Sequence, residues 1–140
     1  HHLSYDHSLL EYADWEISSG LDATHVLLDR HPDIEAIFVA NDLMAAGSIQ
    51  AAASRGLRIP QDLALVGYDD RYLTQATLPP LTSYAIPVNQ IGQKAAHLLI
   101  NHLLRKNAGQ VPSISLSGKL IARASCGALA SQPGARSVSP

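Results

Sequence analysis

Apolar positions along the chain alternate between a helical and a strand period, and the switches mark out successive elements. Over residues 15–29, Ile17, Leu21 and Leu28 share one helical face, and Arg30-His31-Pro32 ends the run because a residue before proline avoids the helical region. Upstream, Leu9-Leu10-Glu11-Tyr12 reads as a short strand. Residues 34–40 (Ile-Glu-Ala-Ile-Phe-Val-Ala) read as a strand buried on both faces. Asn41-Asp42 breaks it, and Asp42 is placed to cap an Ala-rich helix over 43–54 that Gly56 closes in a left-handed conformation. Pro60-Gln61-Asp62 is a turn and 63–68 a second buried strand, so strand, helix and strand form one right-handed βαβ unit. After a loop from Asp69-Asp70 to Pro79-Pro80, a short strand at 81–86 leads through Pro87 into a helix over 88–105. Ile91, Ala95, Leu98, Leu99, His102 and Leu103 give that helix a broad apolar stripe. Gly109 and Pro112 interrupt, and 114–122 alternates as a strand. From Cys126 the sequence turns to Gly, Ala, Ser and Pro, which predicts a disordered tail over 126–140 behind a lobe over 1–125. The predicted class is α/β: a parallel-sheet, Rossmann-like lobe.

Composition narrows the function. The chain has 140 residues, 46% hydrophobic but only 5% aromatic, so its core is built from Ala, Leu, Ile and Val. A net charge of −2 excludes nucleic-acid binding by bulk electrostatics. No apolar run approaches the roughly 20 residues of a membrane span, and His1-His2-Leu3-Ser4 lacks the apolar stretch of a secretory signal. The expectation is a soluble, cytoplasmic protein without membrane contact. The single cysteine, Cys126, excludes an internal disulfide and a Cys-based metal site.

Two polar steps stand out. The strand over 34–40 ends in Asn41-Asp42, and the strand over 63–68 ends in Asp69-Asp70. In a parallel sheet both emerge at the carboxyl edge, where open α/β sheets bind ligands. A carboxylate and a carboxamide there suit a polyhydroxylated ligand. Asp and Asn also cap helices and make turns; that reading is preferred for Asp42, and ligand contact for Asn41 and Asp69. Trp15 is the only tryptophan. A lone tryptophan in an amphipathic helix is usually core, but its neighbours Asp14 and Glu16 place one edge toward a cleft, where indole stacks on a sugar or purine face. No nucleophile elbow, phosphate loop, zinc-protease or dinucleotide motif occurs. The seven histidines do not share a helical face, so neither a catalytic residue, a metal site nor a cofactor is expected.

Residues 37–42, then Ala45 and Gly47, residues 56–70, Pro80-Leu81-Thr82-Ser83, Pro87, Gly92 and residues 119–123 resemble the lactose-repressor/galactose-repressor (LacI/GalR) family of bacterial transcription regulators. Asp14-Trp15 and Ser19-Gly20 extend the likeness. The resemblance implies a periplasmic-binding-protein-like fold of two lobes with a small-molecule effector between them, a sugar foremost, a nucleobase or nucleoside second. It implies that Trp15 stacks on the effector and that Asn41 and Asp69 hydrogen-bond it. Ile86 stands where the lactose repressor carries a glutamine, so a particular sugar does not carry over. The helix over 88–105 would pack on an N-terminal lobe, and Ala46 and the loop over 71–78 would join a homodimer interface. The family's helix-turn-helix and N-terminal lobe have no counterpart here, so the lobe is expected to be incomplete and operator DNA to be reached only through the missing part. An extracytoplasmic sugar-binding transport receptor of the same fold is the alternative; an α/β enzyme ranks below both.

Overall fold

The computed structural model describes residues 6–105 and 112–128. Its order is a 3-10 turn His7–Leu9, helix α1 (Ile17–Arg30), strand β1 (Ala36–Phe38), helix α2 (Asp42–Ser54), strand β2 (Ala64–Asp69), a 3-10 turn Tyr72–Gln75, strand β3 (Thr82–Ala85), helix α3 (Val88–Arg105), strand β4 (Lys119–Ile121) and a 3-10 turn Ala124–Cys126. The sheet runs β1-β2-β3-β4, parallel through β3, with β4 antiparallel. The expected βαβ unit and parallel sheet are present.

Helix α2 is the centre of the lobe. It is buried nearly all round because α1, β2 and the turn Tyr72–Gln75 all pack on it. Its Met44, Ala45, Ile49 and Ala52 meet Val39, Leu63, Leu65 and Leu81 in the core. Small residues let α1 approach: a Cβ on Gly20 would lie 2.3 Å from the Met44 carbonyl oxygen, and one on Gly47 2.0 Å from that of Ile17. At the far end the Gly56 and Leu57 amides reach back to the carbonyls of Ala53 and Ala52, with Gly56 at φ +71°, the left-handed closure expected there.

Four expectations are corrected. Leu9-Leu10-Glu11-Tyr12 is not a strand: Leu9 ends the 3-10 turn, and the chain beyond runs extended beside β1, separated from it by a groove. Strand β1 is not buried on both faces; it lies at the sheet edge, with Phe38 65% exposed. The strand expected over 114–122 contracts to β4. Cys126 is not in a floppy segment, since it closes a 3-10 turn with Sγ 3.1 Å from Thr82 Oγ1. Beside it, Ser125 is fully buried, accepting from the Thr82 amide and donating to the Leu65 carbonyl. Of the expected tail, 129–140 lies outside the described residues.

Helix α3 extends away from the core, with Val88, Ile91, Leu99, Ile100, Leu103 and Leu104 exposed. Among the described residues no helix is long and apolar enough to cross a membrane.

Two outcomes follow from this packing. Gly47→Ala forces a methyl into backbone atoms of α1 and destabilises the chain by about 1–3 kcal/mol or more, measured by urea unfolding; an unchanged midpoint would refute the close crossing. The apolar side of α3 makes the 140-residue chain self-associate or bind an apolar dye; light scattering of a monodisperse, dye-silent monomer would contradict this.

Candidate effector site

The carboxyl ends of β1 and β2, together with the lead-in to α1, form one polar edge. Each part is held by local hydrogen bonds. At the start of α1, the Ser19 hydroxyl accepts from the Asp14 amide (3.1 Å) and donates to the Glu16 carbonyl (3.0 Å). The Asp14 carboxylate accepts from the Glu16 amide, and the Ser19 and Glu16 hydrogen bonds hold its carboxyl below the ordinary range. In that turn Trp15 adopts φ +75°, uncommon for a bulky residue, and its side chain is 60% exposed. It is not a core tryptophan.

Asn41 joins this turn to α2. Its Oδ1 accepts from the Met44 amide (2.8 Å), and its Nδ2 donates to the Trp15 carbonyl (3.0 Å). The capping residue of α2 is therefore Asn41, and the expectation that Asp42 caps while Asn41 stands free is overturned. Asn41 holds the extended conformation a cap needs, whereas Asp42 is already the first helical residue. One Nδ2 hydrogen and one Oδ1 lone pair of Asn41 are left over.

Asp42 is fully buried. Its Oδ1 accepts from the Ser83 hydroxyl (2.6 Å) and its Oδ2 from the Arg71 amide (2.7 Å). Sequence reading missed this role, because both partners come from later elements. Asp69 ends β2 on the same edge, at φ +107° and half-buried, and among the described residues its carboxylate has no hydrogen-bond partner. Burial first, and the Asp42 charge second, raise its carboxyl above the ordinary range, with Arg71 opposing. Asp70 instead pairs with Arg123 at 2.7 Å and accepts from the Thr74 hydroxyl.

The structure thus ties Trp15 and Asn41 directly together and sets Asp69 at the end of the neighbouring strand. A cavity of about 330 Å³ reaches Trp15, but it lies in the groove between Leu10–Ala13 and β1 and takes in neither Asn41 nor Asp69. Among the described residues no group of three or more His, Cys, Asp or Glu side chains could hold a metal ion.

The sheet and its helices form a Rossmann-like lobe, with an aromatic, a carboxamide and a carboxylate at the carboxyl edge of its parallel strands. A family model for periplasmic binding protein-like domains matches residues 2–126, and the chain belongs to that family. It is 39% identical over 101 residues to the HTH-type transcriptional regulator CelR of Thermobifida fusca, covering 72% of this chain and 30% of that protein. The ribose operon repressor of Escherichia coli is 37% identical over 97 residues, 69% of this chain and 29% of the relative. The solved CelR–cellobiose complex superposes at a TM-score of 0.84 and 36% identity, over 88% of this chain and 37% of that one. A LacI family regulator from Arthrobacter sp. FB24, in complex with lactose, gives 0.73 at 30% identity over 81% and 43%. The chain spans 30% and 29% of the two curated relatives' lengths. The resemblance to the LacI/GalR family holds, and these relatives are transcriptional regulators, not enzymes.

The raised Asp69 carboxyl has a consequence with a definite sign. An acid whose folded value is raised favours the fold below the ordinary carboxylate range and loses that contribution as pH rises through the raised value. Asp69→Asn, which also tolerates positive φ, therefore raises the melting temperature of the ligand-free chain at neutral pH. The gain disappears below the ordinary value near 3.8. Thermal melts across that range check it, and a lower melting temperature at neutral pH would contradict it.

Proposed function

We propose that the chain is the effector-binding and dimerising part of a cytoplasmic LacI/GalR-type transcription regulator, with a sugar as effector. The observation that carries this reading is the joined Trp15–Asn41 pair on the same edge as an Asp69 carboxylate that has no hydrogen-bond partner among the described residues. The exposed indole offers an apolar face to the C–H side of a sugar ring. The Asp69 carboxylate accepts from ligand hydroxyls, and Asn41 contributes its remaining donor and acceptor. Cellobiose and lactose in the complexes of similar regulators support a sugar over a nucleoside.

For the homodimer, the loop over 71–78 offers Tyr72 and Leu78, 84% and 86% exposed, whereas Ala46 is already buried within the lobe. Operator contact belongs to other parts of the longer protein, and effector binding acts on it as a coupling free energy between sites.

Titration of the chain with cellobiose, lactose, ribose and a purine nucleoside, followed by emission of its single tryptophan, tests the reading. A saturable change with one of the sugars is expected. Trp15→Ala then weakens that binding by about 1–3 kcal/mol and Asp69→Ala by about 1.5–3 kcal/mol. Unchanged affinity in both variants, after correction for unfolded protein, would remove these residues from the site. A response to the nucleoside alone would replace the sugar.

A further inference from the structure

The turn that presents Asp69 is strained, and two residues distant in sequence hold it. Asp69 and Asp70 both have positive φ, +107° and +56°, without a glycine at either position. Non-glycine residues persist there only where their surroundings over-determine the backbone. Here the amides of Asp70 and Arg71 point inward to a prepared pair of acceptors. The Asp70 amide donates to the Ser83 hydroxyl (3.1 Å), that hydroxyl donates to Asp42 Oδ1 (2.6 Å), and the Arg71 amide donates to Asp42 Oδ2 (2.7 Å).

We propose that Asp42 and Ser83 are positioning residues for Asp69: one buried carboxylate, extended by one hydroxyl, fixes the turn that aims Asp69 out of the carboxyl edge. Asp42 and Ser83 are both fully buried, so neither touches a ligand in solution. Room for the carboxylate comes from Gly67, where a Cβ would stand 2.6 Å from Asp42 Oδ1. Its charge sits at the first turn of α2, the positive end of the helix dipole. The side chain of Asp70 is held by Arg123 and Thr74, so of the two adjacent carboxylates only that of Asp69 lacks a hydrogen-bond partner among the described residues. As an effector-binding device the clamp rests on the reading of Asp69 given above; as a backbone clamp it does not.

The test uses the 140-residue chain and its variants D42N, S83A and S83T. Amide hydrogen exchange is read at Asp70 and Arg71, carboxyl carbon-13 titration at Asp69, and affinity with cellobiose as the probe. The charged groups around Asp69 are Asp42 from α2, Arg71 from the turn, and the Asp70–Arg123 pair joining the turn to the segment after β4. Expected in D42N and S83A is exchange at Asp70 and Arg71 faster by about tenfold or more, with the Leu65 amide in β2 much less affected. S83T, which keeps the hydroxyl, restores protection, and D42N moves the Asp69 titration to lower pH. Cellobiose affinity falls about tenfold in D42N, beyond any loss from unfolded protein. Unchanged exchange at Asp70 and Arg71 in both D42N and S83A overturns the clamp, as does an increase spread evenly over β2. Wild-type cellobiose affinity in D42N, with binding lost in D69A, also overturns it. If the wild-type chain ignores cellobiose, that sugar is removed as effector, and the exchange and titration arms still decide the clamp.

Discussion

A carboxylate without solvent contact, at the first turn of the central helix, is the constraint on which the polar edge depends. Burying Asp42 is costly unless every oxygen finds a donor, and an orphaned buried group costs about 1–3 kcal/mol or more. The fold meets that demand with one hydroxyl from β3 and one amide from the turn after β2. Three consequences follow. Position 67 has to be free of a side chain, β3 has to carry a small hydroxyl at position 83, and the chain after β2 has to bend inward through two residues of positive φ. The same bend separates Asp69 from Asp70 and gives the Asp70 carboxylate to Arg123.

A second set of bonds converges on this arrangement from the end of the described chain. Arg123 donates to the Leu81 carbonyl and pairs with Asp70, while Ser125 bridges β2 and β3 at their buried start. The returning segment therefore closes the sheet with polar contacts rather than apolar bulk, consistent with a core built on Leu, Ala and Ile.

Much of this was legible from pattern. The βαβ unit follows from two apolar runs around an Ala-rich segment, and the Gly56 closure from a glycine placed just beyond it. The Asn41–Asp42 exchange was not, because both residues cap helices and sequence alone does not reveal which one will find partners 41 and 29 residues away. The strand expected at Leu9–Tyr12 failed for a related reason: apolar residues form a ladder only when a neighbouring backbone comes within hydrogen-bonding distance, and a groove intervenes here. Phe38 reads as core by composition yet lies on an edge strand. In the site, the residue types at Trp15, Asn41 and Asp69 were readable, but the direct tie between the first two depends on a hydrogen bond across 26 residues.

The central claim is that a sugar binds at the edge formed by the α1 lead-in and the ends of β1 and β2. Amide chemical-shift mapping during addition of cellobiose tests it most directly. The account predicts saturable shifts concentrated at Trp15, Asn41 and the Asp69–Arg71 turn, with α3 silent. Shifts confined to α3 or to the groove between Leu10 and β1, with that edge unmoved, would contradict it.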